Sequence, residues 1–331
     1  LFGNHLNGNI NYYINETRDL LITRRIAPSA GLDNPTLNVG KMRNQGFELE
    51  LNWNDKINDF EYNVGFNIST IANKVVALAN EDQTIYGVGL KYGTEHFPTQ
   101  TKVGKPIGAF YLYQADGIFQ SLEEVQAHKN SKGELLQPNA QPGDVRFKDM
   151  NGDGVIDEDD KTYSGTGIAK VEANLNLGAS YKGFDFSAVI GSAFGNKIYN
   201  GIRYYYEGMN SGSNFLKTTL NAWTPTNTKT DIPRAVFGDP NQNTRESTRF
   251  LENGDFVRLR QGQLGYTLPQ GMSKHIYCES IRFYVSAENV FTITGYSGAN
   301  PEFSQGVLNS GIDRFTYPFS RSYTVGAQVS F

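Results

Sequence analysis

The chain has 331 residues and a formal net charge of -4; it is 13% aromatic and only 19% charged, with 35 glycines and 32 asparagines. The acidic balance gives no support to nucleic-acid binding, which leaves a basic footprint, and a single cysteine, Cys278, excludes an internal disulfide and a cysteine-cluster metal site. No apolar run approaches the ~20 residues of a membrane-spanning helix; barrel strands, which alternate apolar and polar residues, stay open as a way to cross a membrane.

Aromatic residues suit strands, and Gly and Asn suit turns, so the expectation is one large β domain. The chain begins at Leu1 directly in an alternating segment and reads as a piece of a longer chain. Its strand signal is a period of two. In the first segment Leu6, Gly8, Ile10, Tyr12 and Ile14 share one face and Asn7, Asn9, Asn11, Tyr13 and Asn15 the other. Next, Phe47, Leu49, Leu51 and Trp53 oppose Glu48, Glu50 and Asn52. After a turn at Asn58-Asp59, Phe60, Tyr62, Val64, Phe66 and Ile68 oppose Glu61, Asn63, Gly65, Asn67 and Ser69. Ala173 to Tyr181 alternates with Asn174, Asn176, Gly178 and Ser180, and Lys182-Gly183 leads into Phe184, Phe186, Ala188 and Ile190.

In 256–268 the apolar set changes parity, from Val257 and Leu259 to Leu264, Tyr266 and Leu268, as a β-bulge near Gln261-Gly262 would cause. Ile281, Phe283, Val285 and Ala287 follow, and the chain ends with Tyr323, Val325, Ala327, Val329 and Phe331 on one face. The polar faces suit a wet lumen, and the apolar faces end in aromatics, as a girdle at a lipid boundary does. A soluble sheet with one buried face also alternates. The terminal Phe331 matches the signal used to assemble bacterial outer-membrane barrels and favours the barrel.

Long polar connections run over 72–105, 120–171 and 199–250, and short turns over 54–59, 182–183 and 269–278. Long loops on one side and short turns on the other are a barrel property. Ser121 with Glu124 predicts a capped helix over 122–129, and 214–222 is also helical in pattern.

One motif carries clear chemistry. Asp149, Asn151, Asp153, Val155 (through its carbonyl), Asp157 and Asp160 stand at positions 1, 3, 5, 7, 9 and 12 of a calcium-type loop, with Gly154 at the sharp turn. An EF-hand has Glu at the last position, where this chain has Asp160. Structural Ca2+ is therefore expected at 149–160, the bland reading being an acidic surface turn. His5, His96, His128 and His275 lack metal-ligand neighbours. Glu48 and Glu50 read as lumen lining and not as an acid/base pair. Tyr204-Tyr205-Tyr206 reads as loop packing ahead of ligand contact. No catalytic residue is expected, and no substrate-binding residue is identifiable.

Further segments, in order, resemble the C-terminal part of the SusC/RagA family of TonB-dependent outer-membrane transporters of Bacteroidetes. They are Asn44-Gln-Gly46-Phe-Glu48, Asn67 to Val75, Val103-Gly104-Lys-Pro106 with Asp116-Gly117-Ile118-Phe119, and Pro142-Gly143-Asp144 ahead of the acidic loop. Trp223-Thr-Pro225-Thr-Asn227, Gly254 to Pro269, Asn289-Val-Phe291, Asn300-Pro301-Glu302 and Phe331 complete them. The resemblance implies an all-β antiparallel transmembrane barrel segment over 1–331, about nine or ten strands of a 22-stranded barrel, with long extracellular loops. Plug and TonB box would lie upstream, and the other strands elsewhere in the protein. It implies active import of oligomeric nutrients across the bacterial outer membrane, with oligosaccharides favoured over peptides. Partners would be a SusD-like lipoprotein lid over the long loops, the TonB complex and outer-membrane lipid. The competing reading is a calcium-stabilised extracellular β module for carbohydrate binding or adhesion.

Overall fold

A computed structural model of the chain describes residues 3, 5–23, 31–32, 35–78, 83–92, 94–209, 214–275 and 277–331. Its main sheet is built from ten strands, which fill eight side-by-side positions where nine or ten were expected. Eight stand side by side in chain order: β1 (Leu6–Thr23), β2 (Thr36–Ile57), β3 (Phe60–Thr70), β4 (Val171–Tyr181), β5 (Phe184–Phe194), β6 (Phe256–Thr267), β7 (Ser280–Glu288) and β8 (Ser322–Ser330). Every neighbouring pair is antiparallel. The other two strands are continuations. Ala72–Ala77 prolongs β3 along the upper half of β2, and Thr292–Thr294 prolongs β7 beside Phe256–Arg258.

The register keeps each apolar set in phase with the next. Ile10 stands beside Leu49, Leu49 beside Ile68, and Ile68 beside Ala173. Phe186 meets Leu264, Leu264 meets Val285, and Val285 meets Val325. A one-residue slip would send a whole set to the other face, so the pattern itself fixes the pairing. These side chains form no core. Ile10 is 75% exposed and Val325 84%, with Tyr12, Phe47, Phe184, Phe283 and Tyr323 exposed beside them. So large an apolar comb facing outward is an interaction surface. From Val171 to Tyr181 a strand climbs about 34 Å, or about 26 Å of height at a 40° tilt, which matches the roughly 25 Å apolar band of a membrane barrel.

The parity change in β6 is a bulge, as expected, centred at Arg260-Gln261. Val189 pairs Gln261 while the next residue, Ile190, pairs Leu259, so Arg260 is the extra residue. It lets Val257, Leu259, Leu264 and Tyr266 stay on one face.

The turns at one end are tight. Lys182 and Gly183 both have positive φ, 46° and 87°, and close a two-residue hairpin between paired Tyr181 and Phe184. β2 runs on to Ile57, so its turn is only Asn58-Asp59, shorter than the expected 54–59. At the other end the connections are long. The expected loops 72–105 and 120–171 belong to one connection between β3 and β4, and 289–321 is a further long connection that the sequence did not single out. The helix capped by Ser121 spans Leu122–Ala127, two residues shorter than expected. Only a 3-10 turn, Lys217–Asn221, forms in 214–222.

The long connections share a core of their own. Leu90, Phe110, Leu112, Tyr199, Tyr204, Phe250 and Ile312 are buried together. They come from the connections after β3, β5 and β7. A second cluster, Val75, Leu78, Ile85 and Ile107, packs against Leu20 and Met42, the inward side chains of β1 and β2. The loops therefore fold as a cap leaning over the inner face of the sheet.

Candidate functional site at the lumen wall and its cap

The face opposite the comb is polar along its whole height. Asn9, Glu50, Asn67, Asn174, Gly191 and Arg258 form one continuous row across β1 to β6. Asn174 Nδ2 donates to Asn67 Oδ1 (2.9 Å), and Asn52 Nδ2 to Glu50 Oε1 (2.9 Å). Glu48 and Glu50 are both exposed on this face, as lumen lining. With Asn9, Asn11, Asn67 and Ser69 they border a groove of ≈ 350 Å³. Glycine keeps the wall smooth where neighbours lie across it. A Cβ on Gly178 would stand 2.0 Å from Asn63 Oδ1. The wall thus offers amide and carboxylate groups at close spacing, which can exchange hydrogen bonds with water or a polar solute.

At the top of β6 two segments of the sequence resemblance meet. Arg258 donates from Nη1 to Glu302 (2.8 Å), from Nη2 to Asn300 Oδ1 (2.6 Å) and from Nε to Thr292 Oγ1 (2.8 Å). Arg260 Nη2 donates to the other oxygen of Glu302 (2.9 Å). The bulge makes this possible, because it points Arg258, Arg260 and Gln261 all inward. Asn300-Pro301-Glu302 and Arg258-Leu259-Arg260 are thus two halves of one cluster that bolts the 289–321 connection to the wall.

Within the cap, Glu246 is buried between Lys161 Nζ (2.5 Å) and His96 Nδ1, and Lys161 also reaches Glu158 (2.6 Å). Burial works against the Glu246 charge, but His96 and Lys161 outweigh it and hold its pKa at about 2. Burial likewise opposes the charge on Lys161, yet Glu246 and Glu158 raise its pKa. A second network joins Arg203 to Glu207 (3.1 Å), Asp231 (2.8 Å) and Glu252 (3.3 Å), with Arg249 on Glu207 (2.8 Å). The sequence reading missed both networks. Lys161 directly follows the acidic loop, but nothing local marks Glu246 or Arg203.

The structure gathers the predicted calcium residues in one tight loop. Asp149 accepts from the backbone of Gly152 (2.6 Å) and Gly154 (2.9 Å), Asn151 from Asp153 (2.9 Å), and Asp153 from Val155 (2.9 Å). Asp160 is fully buried and accepts from Met150 (2.6 Å) and Asp157 (2.8 Å). It thereby closes the end of the loop onto its start. Gly154 has φ +91°, and a Cβ there would press on Asn130. Asp149, Asp153, Asp157 and Asp160 make no ion pair among the described residues. Nor, among those residues, do three or more His, Cys, Asp or Glu side chains converge as a metal cluster. The triple tyrosine packs as expected: Tyr204 is in the cap core, and Tyr205 and Tyr206 lie against Phe315.

No family model matches the chain. TonB-dependent receptor P3 of Formosa agariphila is 30% identical over 340 residues, covering all of this chain and 33% of the receptor. TonB-dependent receptor SusC of Bacteroides thetaiotaomicron is 26% identical over 337 residues, covering 98% of this chain and 30% of that protein. In fold, the RagAB peptide transporter superposes with a TM-score of 0.77 at 25% identity, over all of this chain and 34% of that one. The chain is a relative of the TonB-dependent receptors of the SusC and RagA kind. It spans about a third of the length of the curated relatives it matches. An exposed apolar comb opposite continuous polar rows is the arrangement of an outer-membrane barrel wall, with lipid on the comb and the lumen on the polar side. The chain's relatives are receptors and transporters, which are not enzymes.

Proposed function

We propose that the chain supplies part of the wall, lumen and mouth of an outer-membrane importer of oligomeric nutrients. The whole importer would draw energy from the TonB complex and carry a SusD-like surface lipoprotein as its lid. Residues 1–331 would be the C-terminal part of its barrel, with plug and TonB box supplied upstream. The observation that carries this reading is the separation of one sheet into an exposed apolar comb and a continuous polar face, topped by a folded cap. The same comb argues against a soluble adhesion module, which would bury it.

For cargo, oligosaccharide is favoured over peptide. Rows of Asn with Glu48 and Glu50 match sugar hydroxyls, which both donate and accept. A specific observation supports the second reading: the fold likeness extends to a peptide transporter. Mass spectrometry of cargo co-purified with the complete importer separates the two. Sugar oligomers support the first, peptides the second, and a fully water-soluble, cargo-free protein overturns both. Replacing Asn67 and Asn174 together with Leu should lower uptake about tenfold, the worth of one or two lumenal hydrogen bonds, at unchanged outer-membrane abundance.

A structural Ca2+ at 149–160 is part of the same proposal. The donor chemistry fits: the side chains of Asp149, Asn151, Asp153, Asp157 and Asp160 and the Val155 carbonyl offer only oxygen, as a hard cation requires. The bound ion would draw the carboxylates of the loop together, neutralise them and pin the loop. Chelation, or Asp149→Ala, should raise protease cleavage within 140–165 and remove about one equivalent of calcium in elemental analysis. Unchanged metal content and cleavage would remove the ion from the proposal.

A further inference from the structure

The extracellular end of the outward face is not apolar. Alternation places Lys41 and Arg43 on the side of Phe47, because Met42 between them packs inward beneath the cap. Glu16 stands beside Arg43 across β1 and β2, and Lys74 beside Arg43 on the other flank. Glu16 is ringed by Arg43 Nη2 (2.7 Å), Lys41 Nζ (2.9 Å) and Arg18 Nη2 (3.3 Å). Lys74 is exposed and makes no ion pair among the described residues. Arg18, Lys41 and Arg43 thus share the carboxylate of Glu16, and Lys74 beside Arg43 adds a fourth cation with no carboxylate partner among the described residues. Even counting Asp19, at the irregularity that follows Arg18, the patch is in cationic excess.

Its height is informative. Arg43 lies four residues beyond Phe47, about 14 Å along the strand. At barrel tilt that is roughly 10 Å above Phe47, but only about 5 Å above Ile14, the exposed apolar side chain two residues before Glu16 on β1. Headgroups occupy the roughly 5–8 Å outside the hydrocarbon on each side. The cations therefore continue the lipid-facing surface into the zone where lipid phosphates sit. Guanidinium and ammonium groups bind phosphate oxygens by charge-assisted hydrogen bonds.

We propose that Arg18, Lys41, Arg43 and Lys74 form a binding site for a phosphate-bearing headgroup of an outer-leaflet lipid. The inference rests on the barrel reading above. Glu16 acts as the hub that gathers three of the cations, so the excess charge is presented on one patch.

The test uses the complete receptor in phosphatidylcholine nanodiscs doped with monophosphoryl lipid A or with its dephosphorylated form, and lipid retained after detergent exchange is counted by native mass spectrometry. Wild type should retain the phosphorylated lipid selectively. Combined Lys41→Gln, Arg43→Gln and Lys74→Gln should lower that retention roughly a hundred-fold, at about fivefold per cation near an anionic surface. Equal retention of both lipids, or no change in the triple variant, overturns the proposal and leaves the patch to an acidic protein partner. Inorganic phosphate alone should not displace the lipid at millimolar concentration, and displacement would show a free-phosphate site instead. If the triple variant fails to assemble, wild type at rising salt decides: retention must fall between 50 and 500 mM, as the Debye length shrinks from about 14 Å to about 4 Å, and salt-insensitive retention overturns the site. Failure of wild type to enter nanodiscs at all would count against the barrel reading, not against this site.

Discussion

Glu246 carries more of the cap than its place in a loop suggests. Its side chain is 4% exposed and holds both Lys161 and His96. Glu246→Gln leaves Lys161 buried with only the exposed Glu158 as a counter-charge. Removing one partner of such a pair costs about 3 kcal/mol, so the cap should lose hydrogen-exchange protection around Phe110 and Tyr199. The carboxyl also sets an acid limit. Its folded pKa, about 2, lies below the usual 4.5, so its contribution is complete above about pH 4.5 and is lost as pH falls towards 2. Exchange measured across that window should show the cap opening in wild type and a flatter profile in Glu246→Gln. No residue near Glu246 in the sequence announces this role, because its partners are 85 and 150 residues away.

Among the elements, β6 shows how far period-two reasoning reaches. Val257, Leu259, Leu264 and Tyr266 demanded a bulge from the sequence alone, and one lies at Arg260-Gln261. What the alternation could not reveal is its use, which is to aim Arg258 and Arg260 together at Glu302. Deleting Arg260 should leave assembly intact, since the residues on either side keep their faces. Deleting Gln263 should abolish it, because Leu264 and Tyr266 would turn into the lumen; heat-modifiable migration on gels distinguishes the two. The outer face of β8 is tested similarly. Val325→Arg places charge on the lipid side at roughly 2–4 kcal/mol, whereas Gln328→Arg, facing the lumen, should be tolerated. Strands were legible because each needs only its own residues. The long connections were not, since Leu90, Phe110, Tyr199, Phe250 and Ile312 find one another only after the chain has folded back several times.

For the molecule as a whole, β1 and β8 each present an edge with no partner strand among the described residues. Unpaired backbone groups are unfavourable in lipid and recruit other strands in water. Expressed alone, these 331 residues should form concentration-dependent oligomers on native gels, and co-expression with the missing strands should suppress them. The cap has a different kind of incompleteness. Because its core draws Leu90 and Phe110 from one connection, Tyr199, Tyr204 and Phe250 from a second and Ile312 from a third, no connection is a module. An engineer who grafts a single loop from a relative would import part of an interface and leave its complement behind. The cap can change by substitution on its surface or by wholesale exchange of all its loops together, with little viable ground between.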